Sequence, residues 1–201
     1  MAHPLIRRRS YRVRLADRGS LAGACLLGVV TLAPAAGLAH PGQEPPARPP
    51  GAAAPVVRVR PQDDRARVIV ADATQRSPTV AGLIEKLEAT DVIVLVQTAT
   101  GLPWPTGELR LVTRTPRFRF LLIRLETPGR RDDQIAAFAH ELQHAVEIAE
   151  APDVVDAETL ARLYRRLGLR TTQPDHYESS AAIAVERLVA REVYLARRAV
   201  R

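Results

Sequence analysis

The stretch Asp91–Thr98, DVIVLVQT, limits what this chain can fold into more than any other. Its valines, isoleucine and leucine follow one another without polar alternation, so both faces must be covered. A run of this length and β-branched content reads as a central strand, buried on both sides. The rest of the fold has to supply neighbouring strands and at least one helical layer.

The flanking segments supply both. Arg67–Ala71 (RVIVA) reads as a short strand. Ser77-Pro78 opens a helix, with serine as cap and proline in the first turn, and Val80, Leu83, Ile84 and Leu87 fall on one face. The turn-rich GLPWPTGE leads to two more strands, Leu109–Arg114 and Phe118–Leu125, the second with Arg119 and Arg124 at its less buried positions. Pro103-Trp104-Pro105 in that connection reads as a rigid hairpin loop capping the core. Pro128-Gly129 breaks the chain, and Asp132 or Asp133 caps a helix running to about Ala151. Asp156 caps another through Leu167, stopped by Gly168. A last helix runs from near Tyr177 to the C-terminus. Strands come first and helices after, which predicts an α+β fold: a small β-sheet with one helix in the N-terminal half, then a helical half.

Charge argues against a nucleic-acid partner. The 201 residues carry 29 Lys+Arg and 22 Asp+Glu, a net +7. Six of those arginines (Arg7, Arg8, Arg9, Arg12, Arg14, Arg18) and only Asp17 fall in residues 1–39, leaving 23 basic and 21 acidic residues for the rest. Behind the arginines lies the uncharged LAGACLLGVVTLAPAAGLA, residues 21–39, with Gly37 and Ala39 where a signal peptidase reads small residues. Residues 1–39 are therefore expected to be a signal peptide cleaved before His40, and the protein to be exported to the periplasm or beyond. The alternative is an uncleaved N-terminal membrane anchor. No membrane contact is expected beyond this leader. Residues 40–64, rich in proline and alanine, form a linker, and the domain spans 65–201. Cys25 is the single cysteine and lies in the leader, so any metal site in the domain must use His, Asp and Glu. Arg162, Arg165, Arg166 and Arg170 read as a solvated helix face.

The chemistry is concentrated in AFAHELQHAVEIAE, residues 137–150. Residues four apart on a helix share a face about 6 Å apart along the axis, so His140 and His144 can each reach one Zn²⁺ at about 2.0–2.1 Å. Glu141, beside the first histidine, projects toward a water on that metal and can take its proton. Ile135, Phe138, Leu142, Val146 and Ala149 form an apolar stripe, and the histidines fall roughly opposite it, with small Ala137 on their side. The bland alternative is a surface or half-buried helix with fortuitous histidines. Against it stands the count: His140, His144 and His176 are all the histidines of the domain, and two of them make the motif.

His140-Glu141-Leu142-Gln143-His144, on a helix that follows a small sheet, resembles the zincin metallopeptidases, and HELQHAVEIAE is similar to small exported bacterial zincin-like proteins. Glu147 and Glu150 stand where metzincins carry glycine and histidine, which excludes that subgroup. The resemblance implies a gluzincin-like site, with a third ligand from a later helix. Glu178 is the choice, with His176 the main rival and Glu158 a weaker one. Glu147 lies too far along the axis from His140 to complete the site and is either a supporting residue or solvated. Tyr177, His176 or Tyr164 could stabilise an oxyanion. Zincins bind substrate as an added strand along a sheet edge, which would implicate Leu109–Arg114 or Phe118–Leu125. The expectation is an exported zinc-dependent peptidase acting on a peptide or protein substrate, with Glu141 as general base and Tyr177 assisting. The alternative is an inactive zincin-like domain that binds metal or a partner.

Overall fold

The computed structural model describes residues 56–102, 107–168 and 177–199, with the backbone alone of Arg12–Leu15 and Leu169. The rest of the leader, most of the linker, Trp104, Arg170 and His176 lie outside the described residues. The fold is α+β, as expected. In chain order come β1 (Arg12–Leu15), β2 (Val59–Pro61), α1 (Asp64–Arg76), α2 (Pro78–Glu88), β3 (Val92–Ala99), β4 (Gly107–Arg114), β5 (Arg119–Glu126), α3 (Arg131–Ala149), α4 (Ala157–Leu167), β6 (Gly168–Leu169), β7 (Glu178–Ser179) and α5 (Ser180–Ala199).

The sheet order is β1-β4-β5-β3-β2. DVIVLVQT lies inside it as β3, parallel to both β2 and β5, while β4 and β5 pair antiparallel. Alternate residues of the three long strands (Val92, Val94 and Val96; Leu109 and Leu111; Leu121, Ile123 and Leu125) are buried in one core with Ile135, Phe138 and Leu142. Helices α1 and α3 pack on the sheet, and α2 and α5 pack on α3. The helix carrying the two histidines is thus the central rod of the domain.

Four expectations need correction. RVIVA is helical, part of α1: Ala66, Ile69 and Ala73 are buried at helical intervals, whereas Val68 is 46% exposed. The strand lies upstream instead. Residues Val59–Pro61, read as linker, join the sheet through Val94 N–H to Arg58 O and Gln62 N–H to Val96 O, both 2.8 Å. Neither Asp132 nor Asp133 caps α3. Arg130 occupies that position without a side-chain bond, and Asp132 sits in the first turn, paired with Arg76 and Arg197. Arg119 is not a less buried position, being only 3% exposed.

The caps at Ser77 and Asp156 are as expected. Ser77 accepts from Val80 N–H, and Asp156 forms a reciprocal capping box with Thr159. A cap not anticipated is Asp63, whose Oδ1 accepts from Ala66 N–H at 2.8 Å while Oδ2 accepts from Thr98 N–H at 2.7 Å. One carboxylate therefore starts α1 and ties it to β3. Asp63→Ala is expected to destabilise the domain by about 1–2 kcal/mol in urea denaturation, and an unchanged midpoint would show that the tie contributes nothing.

Candidate metal centre

Helix α3 is buried almost all round: from Gln134 to Ile148 only Gln143 is partly exposed, and His140, Glu141 and His144 show no exposure at all. The apolar stripe expected on one side is thus part of a core helix buried on nearly every side, and the surface or half-buried helix of the alternative is not what forms. The two imidazoles meet edge to face, centroids 4.9 Å apart.

Glu178 completes the group. Its Oε1 lies 3.4 Å from His140 Nε2 and 3.6 Å from His144 Nε2. Those separations fit ligands around a small cation better than direct hydrogen bonds. Bonds of about 2.0–2.1 Å to a tetrahedral ion place ligand atoms about 3.3–3.4 Å apart. His140, His144 and Glu178 are the group among the described residues whose ligand atoms converge in this way, all within 4.8 Å of one another, and it could hold a metal ion. Glu178 does not come from the last helix. It lies on β7 just before α5, and β7 pairs antiparallel with β6. This pairing is close: a side-chain carbon at Gly168 would stand 2.5 Å from Tyr164 O and 3.0 Å from Glu178 O, so glycine is required where α4 turns into β6.

The other candidates fall elsewhere. Glu158 is exposed on the first turn of α4 and pairs with Arg162. Tyr164 is buried, with its hydroxyl 2.9 Å from His144 Nδ1, on the far side of the ring from Glu178, and is engaged there rather than aimed at a substrate. Tyr177 is half-buried and stacks on Tyr164, ring centroids 5.3 Å apart. Of the two strands proposed as a binding edge, β5 is interior, paired with both β3 and β4. Strand β4 is the outer of the two. Its first residue, Gly107, approaches Glu141 so closely that a side-chain carbon there would lie 3.4 Å from Glu141 Cγ and Oε1. The backbone of Arg12–Leu15 runs parallel along its other side. Glu186 on α5, which no sequence pattern singled out, brings Oε2 to 3.6 Å from His140 Nδ1.

The electrostatics ask for a cation. Burial and the neighbouring charge of His144 hold His140 well below the ordinary imidazole range. Burial pushes His144 the same way, but the carboxylates of Glu147 and Glu178 around it outweigh that and raise it. Burial lifts the Glu141 carboxyl well above its ordinary value. Both Glu141 oxygens and His144 Nε2 are buried without a hydrogen-bond partner among the described residues. Polar atoms so enclosed are disfavoured unless something binds them. The donor set of two imidazoles and one carboxylate suits a divalent transition-metal ion.

The chain matches no protein-family profile, no curated protein and no solved structure.

Proposed function

We propose that this protein is an exported, zinc-dependent hydrolase of gluzincin-like type that cleaves peptide amide bonds. The observation that carries the reading is the convergence of His140 Nε2, His144 Nε2 and Glu178 Oε1 next to a buried, unpartnered Glu141. His140, His144 and Glu178 would hold the ion, which when bound supplies a Lewis acid that acidifies a water at neutral pH. The remaining work falls to the chain. Glu141 accepts the proton of the attacking water and passes it to the leaving amine. Its burial raises its proton affinity, which suits a group that must both take up and release a proton. An extended peptide lying along β4, which begins at Gly107 against Glu141, would take the edge that Arg12–Leu15 occupies here. Export rests on the arginine-rich start and the uncharged run of residues 21–39. No helix among the described residues is long and apolar enough to cross a membrane.

One observation favours the second reading, a domain that holds metal without turnover. His140, Glu141 and His144 have no solvent exposure, and closed sites are typical of structural metals. The partnerless oxygens of Glu141 weigh the other way, because a purely structural site has no use for a buried carboxylate beside the first ligand.

The full chain, purified, is expected to carry one zinc per molecule by elemental analysis and to hydrolyse a peptide library. Chelation should lower its melting temperature and added zinc restore it, with about 2.7 kcal/mol of stabilisation at a hundredfold excess over Kd. No retained metal, together with no thermal response to zinc, would sink the proposal. One zinc without hydrolysis of any peptide would select the second reading.

A further inference from the structure

We propose that Glu147 is the positioning residue of this metal centre, a single carboxylate that sets the tautomer of one ligand and the placement of another. The inference rests on the metal-binding reading above and assigns Glu147 a task within it.

Glu147 lies one helical turn beyond His144, on the same face of α3, and is 7% exposed. Its Oε2 lies 2.9 Å from His144 Nδ1 and accepts from the Tyr164 hydroxyl at 3.1 Å. Its Oε1 accepts from the Ser179 hydroxyl at 2.5 Å. Ser179 in turn accepts from Ala182 N–H at 3.0 Å, starting α5, and donates its own backbone N–H to Glu178 Oε1 at 2.8 Å. Both oxygens of one carboxylate thus join three parts of the chain: the helix with His144, the helix with Tyr164, and the turn with Glu178.

The chemistry of each bond is directional. A carboxylate at Nδ1 requires the proton there, which leaves the lone pair on Nε2, the nitrogen that faces Glu178 and His140. The Tyr164 hydroxyl donates to the same oxygen and holds it against the imidazole. The Ser179 bond holds the two-residue strand β7 against α3, and the backbone N–H beside it fixes which Glu178 oxygen points inward. Glu147 is not itself a ligand, since it meets the imidazole at the nitrogen opposite Nε2.

A purely structural buried glutamate would affect folding but not metal affinity in the folded protein. The test therefore uses the metal-stripped full chain, titrated with Co²⁺ and followed by its visible absorption, with zinc affinity obtained by competition. E147Q offers an amide that can donate to Nδ1 and so favour the wrong tautomer. It is expected to bind 10–100-fold more weakly, with an altered Co²⁺ spectrum. S179A keeps the His144 bond but frees β7, and is expected to weaken binding less. Because Ser179 acts through Glu147, the double variant should be no weaker than E147Q alone. If E147Q folds and retains wild-type affinity and spectrum, the proposal is overturned, whatever its melting temperature. If E147Q does not fold, S179A decides: weaker binding upholds the proposal, and unchanged binding overturns it. Wild-type protein that binds no Co²⁺ would overturn the metal reading itself, a result distinct from equal binding by wild type and variant.

Discussion

Glu141→Gln is expected to lower peptide hydrolysis by about 10²–10⁴-fold while leaving the bound metal in place. The amide has nearly the shape of the carboxylate and fits the same enclosed space against Gly107, so neither packing nor the ligands His140, His144 and Glu178 should move. What disappears is the capacity to accept a proton from water. The measurement is turnover on the best library peptide beside metal content. Full activity with metal retained would remove Glu141 from the mechanism. Loss of the metal along with activity would mean that its charge serves binding rather than proton transfer.

Arg119→Leu is expected to destabilise the domain by about 3 kcal/mol. Arg119 projects from β5 to the end of α3, where a helix leaves its last carbonyls without partners. Its Nη1 donates to Ile148 O and Ala151 O, both at 2.8 Å, and to Val154 O at 3.1 Å. Nε and Nη2 clasp both oxygens of Asp91 at 2.8 and 2.7 Å. Helix α3 has no basic residue of its own in its last turn, so this charge from the sheet also balances the negative end of the helix dipole. Leucine would take the charged donor away from all three carbonyls, leaving Ile148 O and Ala151 O only the backbone N–H groups of Ala151 and Val154. Asp91→Asn should have a much smaller effect, below about 1 kcal/mol, because that side chain is 46% exposed. Acid should act through the same contact. The hydrogen bond from Arg119 holds the Asp91 carboxyl below its ordinary 3.8, so its contribution is present above that pH and is lost as pH falls. The stability gap between wild type and Arg119→Leu should narrow below about pH 4. Urea midpoints from pH 3 to 7 check both statements, and a gap under 1 kcal/mol at neutral pH would refute the role given to Arg119.

Arg119 also shows how far local pattern reaches. An arginine in FRFLLIRL reads as the edge of burial, because nothing nearby in the chain reveals a partner. Its partners are carbonyls about thirty residues downstream. RVIVA misleads for a related reason. Its β-branched run suits a strand, but Asp63 caps it and Ala66, Ile69 and Ala73 find a core on one side, and that environment outweighs propensity. The caps at Ser77 and Asp156 were readable because a cap and the N–H groups it serves lie within three residues of each other.

For the candidate site, the sequence by itself determined the pair of histidines and the glutamate beside the first, since a helical turn alone brings His140 and His144 onto one face. It also marked DVIVLVQT as an inner strand, which β3 is, although only the face of Val92, Val94 and Val96 is fully buried and Leu95 and Gln97 on the other face are half-buried. Only the tertiary structure decided that Glu178 stands within 3.6 Å of both imidazoles. It alone decided that Glu147, readable either way from its spacing, turns inward to His144 and Ser179. Both facts depend on α4, β7 and α5 folding back onto α3, and contacts made across 30 or more residues leave no periodicity in the chain.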